Sequence, residues 1–177
     1  KPYKQKSERD YYDEYTERYM SGELTDSTKI QVADSLKFTT PKGKIVYGGG
    51  GIIPDVFVPI KTGEEVEKVE FAVRTAMIDN FVFDELERDR AFYNALTLND
   101  FTGNFEVSDR LLMDFKSYVR IRTRGELLID FDTYDAKIKR FIKAAMASQL
   151  FDENIANKIT EEDDAMIQKV KGLMRAK

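Results

Sequence analysis

From Leu36 onward, the hydrophobic positions of this chain change their period once. From Leu36 to Val58 they fall in short runs separated by turn residues, and from Glu64 onward they recur every three or four positions. The first pattern belongs to strands and the second to helices. Leu36–Thr40 and Lys44–Tyr47 are β-prone runs separated by a Pro41-Lys42-Gly43 turn signal. Proline presets φ there and glycine accepts a positive one. Val56–Val58 reads as a third β-prone run, closed by Pro59.

Beyond Glu64, the residues Val66, Val69, Val73, Ala76 and Met77 form one helical stripe. It is expected to bend or break near Asp79-Asn80 and to run on through Leu86, Tyr93 and Leu96. A polar stretch with Asn99, Gly103 and Asn104 follows. Ser108 then reads as the cap of a helix carrying Leu111, Leu112, Phe115 and Val119, and Gly125 as the next turn. Tyr134, Ile138, Phe141, Ile142 and Ala145 make the clearest amphipathic helix. Ile155 and Ile159 extend the pattern, and Met166, Val170 and Leu173 are expected to give the last helix its inner face.

Ahead of the strands, Ser7–Met20 predicts a helix with Tyr11, Tyr15 and Tyr19 stacked on one side. Ser7 is its N-cap, Asp10 stands three positions on, and Gly22 ends it. The tyrosine stripe reads as packing against protein rather than as a binding platform. The fold class is therefore α+β: short strands or a hairpin, then a mainly helical C-terminal domain. The boundary falls near Thr62-Gly63, dividing the chain into 1–62 and 63–177.

Composition narrows the chemistry. The 177 residues carry 28 basic and 32 acidic side chains, a net charge of −4, with 42% hydrophobic residues, which is a globular composition. There is no His, Cys or Trp. A Ser-His-Asp triad, a Cys-His pair, a Cys/His zinc site and a disulfide are excluded within the chain. Catalysis here would fall to carboxylates, Lys, Tyr, Ser or Thr, or to a cation held by oxygen. No apolar run approaches the roughly 20 residues of a membrane helix. The chain begins at Lys1 rather than Met, so a processed form or an internal piece is expected, and the lack of a leader says nothing about export. Mild acidity argues against non-specific nucleic-acid binding.

Local constellations mostly have structural explanations. Gly48, Gly49, Gly50 and Gly51 lack the Lys-Ser/Thr and helix of a phosphate loop; they are followed by Ile-Ile-Pro54-Asp55 and a β-prone run. A bent or bulged strand connection is the expected reading. Thr160 with Glu161, Glu162, Asp163 and Asp164 reads as a helix start, Thr160 being the N-cap. Asp130, Asp132 and Asp135 fail as a calcium loop, because Asp135 stands where glycine is needed and Phe141 where the closing Glu is needed. Arg120, Arg122 and Arg124 read as a solvated face or local ion pairs. No metal site and no cofactor is expected.

The stretch from Leu36-Lys-Phe-Thr-Thr-Pro-Lys-Gly-Lys-Ile-Val-Tyr through Gly48-Gly-Gly-Gly-Ile-Ile-Pro-Asp55 to Pro59 resembles the end of the peptidase core in the carboxy-terminal processing peptidases, or tail-specific proteases. That family closes its catalytic domain with a Thr-Pro-x-Gly-Arg-type turn and a Gly-Gly-Ile-x-Pro-Asp segment; Lys44 stands here in place of the Arg. The opening Lys1-Pro-Tyr-Lys, the Tyr-rich helix and Ser21-Gly-Glu-Leu24 resemble an insertion in one bacterial branch. Residues 64–177 resemble, more loosely, that branch's C-terminal extension.

The resemblance implies an exported serine endopeptidase of the periplasm or cell envelope, using a Ser-Lys dyad and usually a PDZ domain that captures substrate C-termini. Both dyad residues lie in motifs upstream of the segment matching Lys1, so no catalytic residue is assigned here. Gly48–Gly51, Pro54 and Asp55 would be structural parts of the core. The implied partners are the upstream peptidase and PDZ regions, protein or peptide substrates, and a second copy of the chain; the helical domain would brace the core, mediate self-association or gate substrate entry. The alternative is a free-standing helical interaction module without peptidase chemistry. If the strands are cut from a larger sheet, their open edges are expected to drive self-association.

Overall fold

A computed structural model describes residues 8–30, 37–48, 55–162 and 164–175. The described chain is mainly helical with one small antiparallel sheet, as the sequence pattern predicts. It divides into two compact units, residues 1–62 and 63–177.

In the first unit, α1 runs Glu8–Met20 and stops at a turn in which Gly22 has φ 81°. A single 3-10 turn, Ser27–Lys29, is capped by Asp26, which accepts from the Thr28 amide at 2.9 Å. Strands β1 (Lys37–Thr39) and β2 (Ile45–Tyr47) pair antiparallel, with Phe38 opposite Val46. Their turn is closed at both levels: the Thr40 amide donates to Lys44 O at 2.8 Å, and the Gly43 amide donates to Thr40 O at 2.8 Å. Gly43 takes φ 78°, the conformation for which the sequence supplies a glycine.

One expectation for this unit changes. Val56–Val58 is not a strand; β1 and β2 pair with each other, and the third run joins neither. A β-prone run needs a neighbour's amides and carbonyls to become a strand, and Pro59 withholds one donor. Just beyond it, the Ile60 amide donates instead to Leu24 O at 3.0 Å. In the tyrosine stripe, whose packing partner the sequence leaves open between this chain and another protein, Tyr15 is exposed and Tyr19 half-buried.

The second unit is a helical array: α2 (Glu64–Arg74), α3 (Met77–Arg88), α4 (Arg90–Ala95), α5 (Leu98–Gly103), α6 (Asp109–Arg122), α7 (Asp132–Leu150), α8 (Glu153–Glu161) and α9 (Ala165–Arg175). The longest helix, α7, packs against α2, α3, α6 and α8. Its Ile138, Ile142, Met146 and Ala147 are almost fully buried. Phe81 of α3 sits 5.2 Å from the Phe115 ring of α6, centroid to centroid, and Phe101 of α5 stacks on Phe105 at 5.0 Å and tilts against Phe151 at 5.3 Å. Gln149 ties α7 to α3 through a 3.0 Å bond to Asp79 O.

Local chemistry explains the helix ends. Asp89, Thr97, Ser108 and Asp152 accept from backbone amides at the starts of α4, α5, α6 and α8. At the end of α6, Gly125 takes φ 84° and its amide reaches back to Arg120 O at 2.8 Å, a Schellman-type stop. Ser108 and Gly125 therefore act as the sequence pattern predicts.

Three expectations are corrected here. The break in the stripe falls at Thr75-Ala76, not Asp79-Asn80; Ala76 adopts φ 56°, so Met77 opens α3 rather than extending α2. Thr160 is not an N-cap. It lies in the last turn of α8, its hydroxyl donating to Asn157 O at 3.0 Å, and Asp164 caps α9 by accepting from Met166 and Ile167 at 2.8 and 2.9 Å. A carboxylate accepts two amides without needing the hydroxyl, which leaves Thr160 free to finish the preceding helix. Lastly, Met166, Val170 and Leu173 are 55%, 54% and 44% exposed, so the expected inner face of α9 is open. The polar stretch around Asn99 and Gly103 is itself helical as α5, and places Phe101 at the centre of the core.

Candidate functional site

The residues of the peptidase-like stretch lie in the first unit, around the β1–β2 hairpin. Lys44 follows the turn and leads into β2, and its Nζ lies 2.7 Å from Asp55 Oδ2. The Thr40 hydroxyl accepts from the Lys44 amide at 3.0 Å, which fixes the backbone from which the lysine extends. The turn and Asp55 are thus joined by an ion pair. Both partners are solvent-exposed, so the pair contributes orientation more than stability.

Gly48 closes β2 under the Phe38 ring: a Cβ added there would lie 2.8 Å from Phe38 Cε2. A larger residue at this position would push the exposed Phe38 ring aside. Gly49, Gly50, Gly51 and Pro54 lie outside the described residues. Phe38, Ile45 and Val46 of the hairpin and Val56 beyond it are exposed. Residues on both faces of this small sheet therefore meet water.

The second unit holds a groove of about 700 Å³ bounded by α5, α7, α8 and the 105–107 segment. Phe105 and Ile155 line its apolar part, and Lys139, Lys143 and Lys158 bring ammonium groups to it. Lys139 lies 2.6 Å from Asp109 Oδ1, an ion pair that holds the Asp109 carboxyl below its usual range. Lys143 donates to Phe105 O at 2.7 Å and sits 5.6 Å from the Phe101 ring centroid. The Thr102 hydroxyl is turned inward to Leu98 O. This arrangement offers a concave, partly cationic surface without a nucleophile held beside a base.

Other reactive groups have structural work. Lys116 is buried, with Nζ 2.6 Å from Asp135 Oδ1, so this lysine is committed to a carboxylate rather than to a hydroxyl. Asp135, read in sequence as part of a failed calcium loop, therefore joins α6 to α7. Tyr93 donates to Glu85 Oε1 at 3.1 Å, and burial first, then the Glu85 charge, pushes its phenol up to about 12. It stays protonated and is no base near neutral pH. Among the described residues there is no cluster of three or more Asp, Glu, His or Cys suited to a metal ion. Arg120 and Arg122 are exposed at the last turn of α6, where they complement the helix dipole; Arg122 also lies 5.1 Å from the Tyr118 ring centroid.

Sequence reasoning named both Lys44 and Asp55 but had no signal for their pairing. The groove left no signal either, because α5 and the 105–107 segment, which form one wall, stand some distance in sequence from the α7–α8 pair that forms the other. Among known families, residues 70–152 match one described only as a family of unknown function, DUF8443. That match spans the end of α2 and all of α3 through α7, and covers less than half of the chain. Comparison with curated proteins and with solved structures gives no match.

Proposed function

We propose that the chain is the C-terminal part of a carboxy-terminal processing serine peptidase: the closing hairpin of the peptidase core followed by a helical domain. The observation that carries this reading is the Lys44–Asp55 ion pair. It links the two halves of the peptidase-like stretch, the Thr-Pro-x-Gly turn and the Pro-Asp end, through the position where the family has Arg. A lysine there keeps the charge but gives up the bidentate grip of a guanidinium. The exposed Phe38, Ile45 and Val46 add support, since a hairpin from the margin of a larger sheet brings apolar side chains meant for that sheet.

On this reading the chain supplies no catalytic group. The Ser-Lys dyad belongs to the rest of the peptidase, which acts in the periplasm or cell envelope on the C-terminal regions of protein substrates. The helical domain braces that core, associates with another copy or controls substrate entry.

The test compares the isolated 177-residue chain with the complete protein encoded by its gene, on unstructured peptides ending in apolar residues. Cleavage by the complete protein, lost when its motif Ser or Lys is replaced by Ala, and none by the isolated chain, is expected. Cleavage by the isolated chain, or none by the complete protein, overturns the proposal.

A further inference from the structure

Helix α9 was expected to turn Met166, Val170 and Leu173 inward, yet none of its residues is buried. Met166, Val170, Leu173 and Met174 are 55%, 54%, 44% and 73% exposed, and at helical spacing they form one stripe with the half-buried Ile167. Lys169 and Lys171 flank this stripe on opposite sides, and Arg175 lies on the polar face. The chain has 32 acidic residues, but none falls between Ala165 and Arg175. The helix is firmly started, because Asp164 accepts from two of its backbone amides.

Whatever covers this stripe must be apolar at the centre and negative at both margins. A second α9 fails that requirement. Pairing two stripes, parallel or antiparallel, brings Lys169 and Lys171 of each helix near those of the other, and like charges oppose the contact. A folded acidic partner meets the charge requirement but would need further surface beyond α9. An 11-residue helix is about 16 Å long, and its stripe is far smaller than the ~800 Å² per partner of a stable protein interface. A lipid bilayer with anionic headgroups needs no minimum patch and no matching shape. It offers an apolar layer directly beneath a negative plane, and lysine stems reach along the helix to that plane while the stripe sinks in.

We infer that α9 is a peripheral membrane-contact helix, lying in the surface of an anionic bilayer through Met166, Val170, Leu173 and Met174 with Lys169 and Lys171 at the headgroups. The inference is independent of the peptidase reading.

The experiment is co-sedimentation of the 177-residue chain with phosphatidylglycerol/phosphatidylcholine vesicles and with pure phosphatidylcholine vesicles, at low and high salt. Binding should rise with phosphatidylglycerol content and fall at high salt. It should weaken about fivefold for each lysine neutralised in Lys169→Gln and Lys171→Gln. Val170→Gln/Leu173→Gln, which keeps every charge, should abolish it. All four positions are exposed, so the variants should retain the helical content of the parent by circular dichroism. No binding to anionic vesicles, equal binding to neutral ones, or binding that survives Val170→Gln/Leu173→Gln overturns the inference. So does self-association that depends on these residues in the absence of vesicle binding, because it assigns the stripe to protein.

Discussion

The Tyr93 hydroxyl donates to Glu85 Oε1 at 3.1 Å, folding α4 back onto α3 across the break at Asp89. The other oxygen of Glu85 accepts from Arg88 at 2.5 Å, so one carboxylate serves two partners. Burial, followed by the Glu85 charge, raises the phenol from its ordinary 10.0 to about 12. A native group that holds its proton longer than the unfolded chain stabilises fully below the unfolded value, and that contribution is lost as pH rises through the folded one. Stability should therefore decline between pH 10 and about 12. Tyr93→Phe should cost on the order of 1 kcal/mol at neutral pH and flatten that alkaline decline. Urea unfolding of both proteins across this range checks the prediction, and an unchanged slope in Tyr93→Phe would count against it.

Ala76 sits at φ 56°, between α2 and α3, where a Cβ is unfavourable. Ala76→Gly should raise stability by up to about 1 kcal/mol, because relief of the left-handed strain outweighs the added freedom of the unfolded chain. Ala76→Val, with its branched Cβ, should lower stability by at least about 1 kcal/mol. Denaturant midpoints for the pair should move in opposite directions.

This joint also shows where sequence stops being informative. Gly43, Ser108 and Gly125 announce the turn, cap and stop they form, because each acts on backbone within a few residues of itself. Thr75-Ala76 carries no such mark. The left-handed turn there is imposed by packing, which needs Val69 and Ala72 of α2 and Ile78 and Phe81 of α3 in one core. Competing local signals produced the Thr160 error: two good N-caps stand four residues apart, and only the length of α8 decides between them. The open face of α9 was misread because an apolar stripe has the same spacing whether protein or another medium covers it. For the hairpin, the motif residues were legible singly, whereas the Lys44–Asp55 contact depends on the path of the chain between them.

Phe115 is fully buried and its ring meets Phe81 at 5.2 Å. Phe115→Ala removes that contact and leaves a cavity between α3 and α6, for an expected loss of about 3–5 kcal/mol. Phe115→Leu should lose less. Thermal unfolding followed by circular dichroism ranks the two, and a cost below 1 kcal/mol for Ala would argue against this packing.

Asp152 accepts from Asn154 and Ile155 at 2.7 and 3.2 Å, starting α8 directly after α7. Asp152→Ala should cost about 1 kcal/mol, whereas Asp152→Asn or Asp152→Ser should recover most of it. Native-state hydrogen exchange should locate the loss at the first amides of α8. Uniform deprotection across the second unit would mean that the residue acts otherwise.

Every buried hydrophobic side chain among the described residues lies between Val66 and Ala156. Heat absorbed on melting, and the heat-capacity step that follows exposure of apolar surface, must then come almost wholly from the second unit. A scanning calorimeter should record one cooperative peak sized for roughly that stretch, while the β1–β2 hairpin loosens gradually and without a peak of its own. The isolated chain would thus be calorimetrically shorter than it is chemically, with its first third thermally silent until other protein gives that hairpin something to melt from.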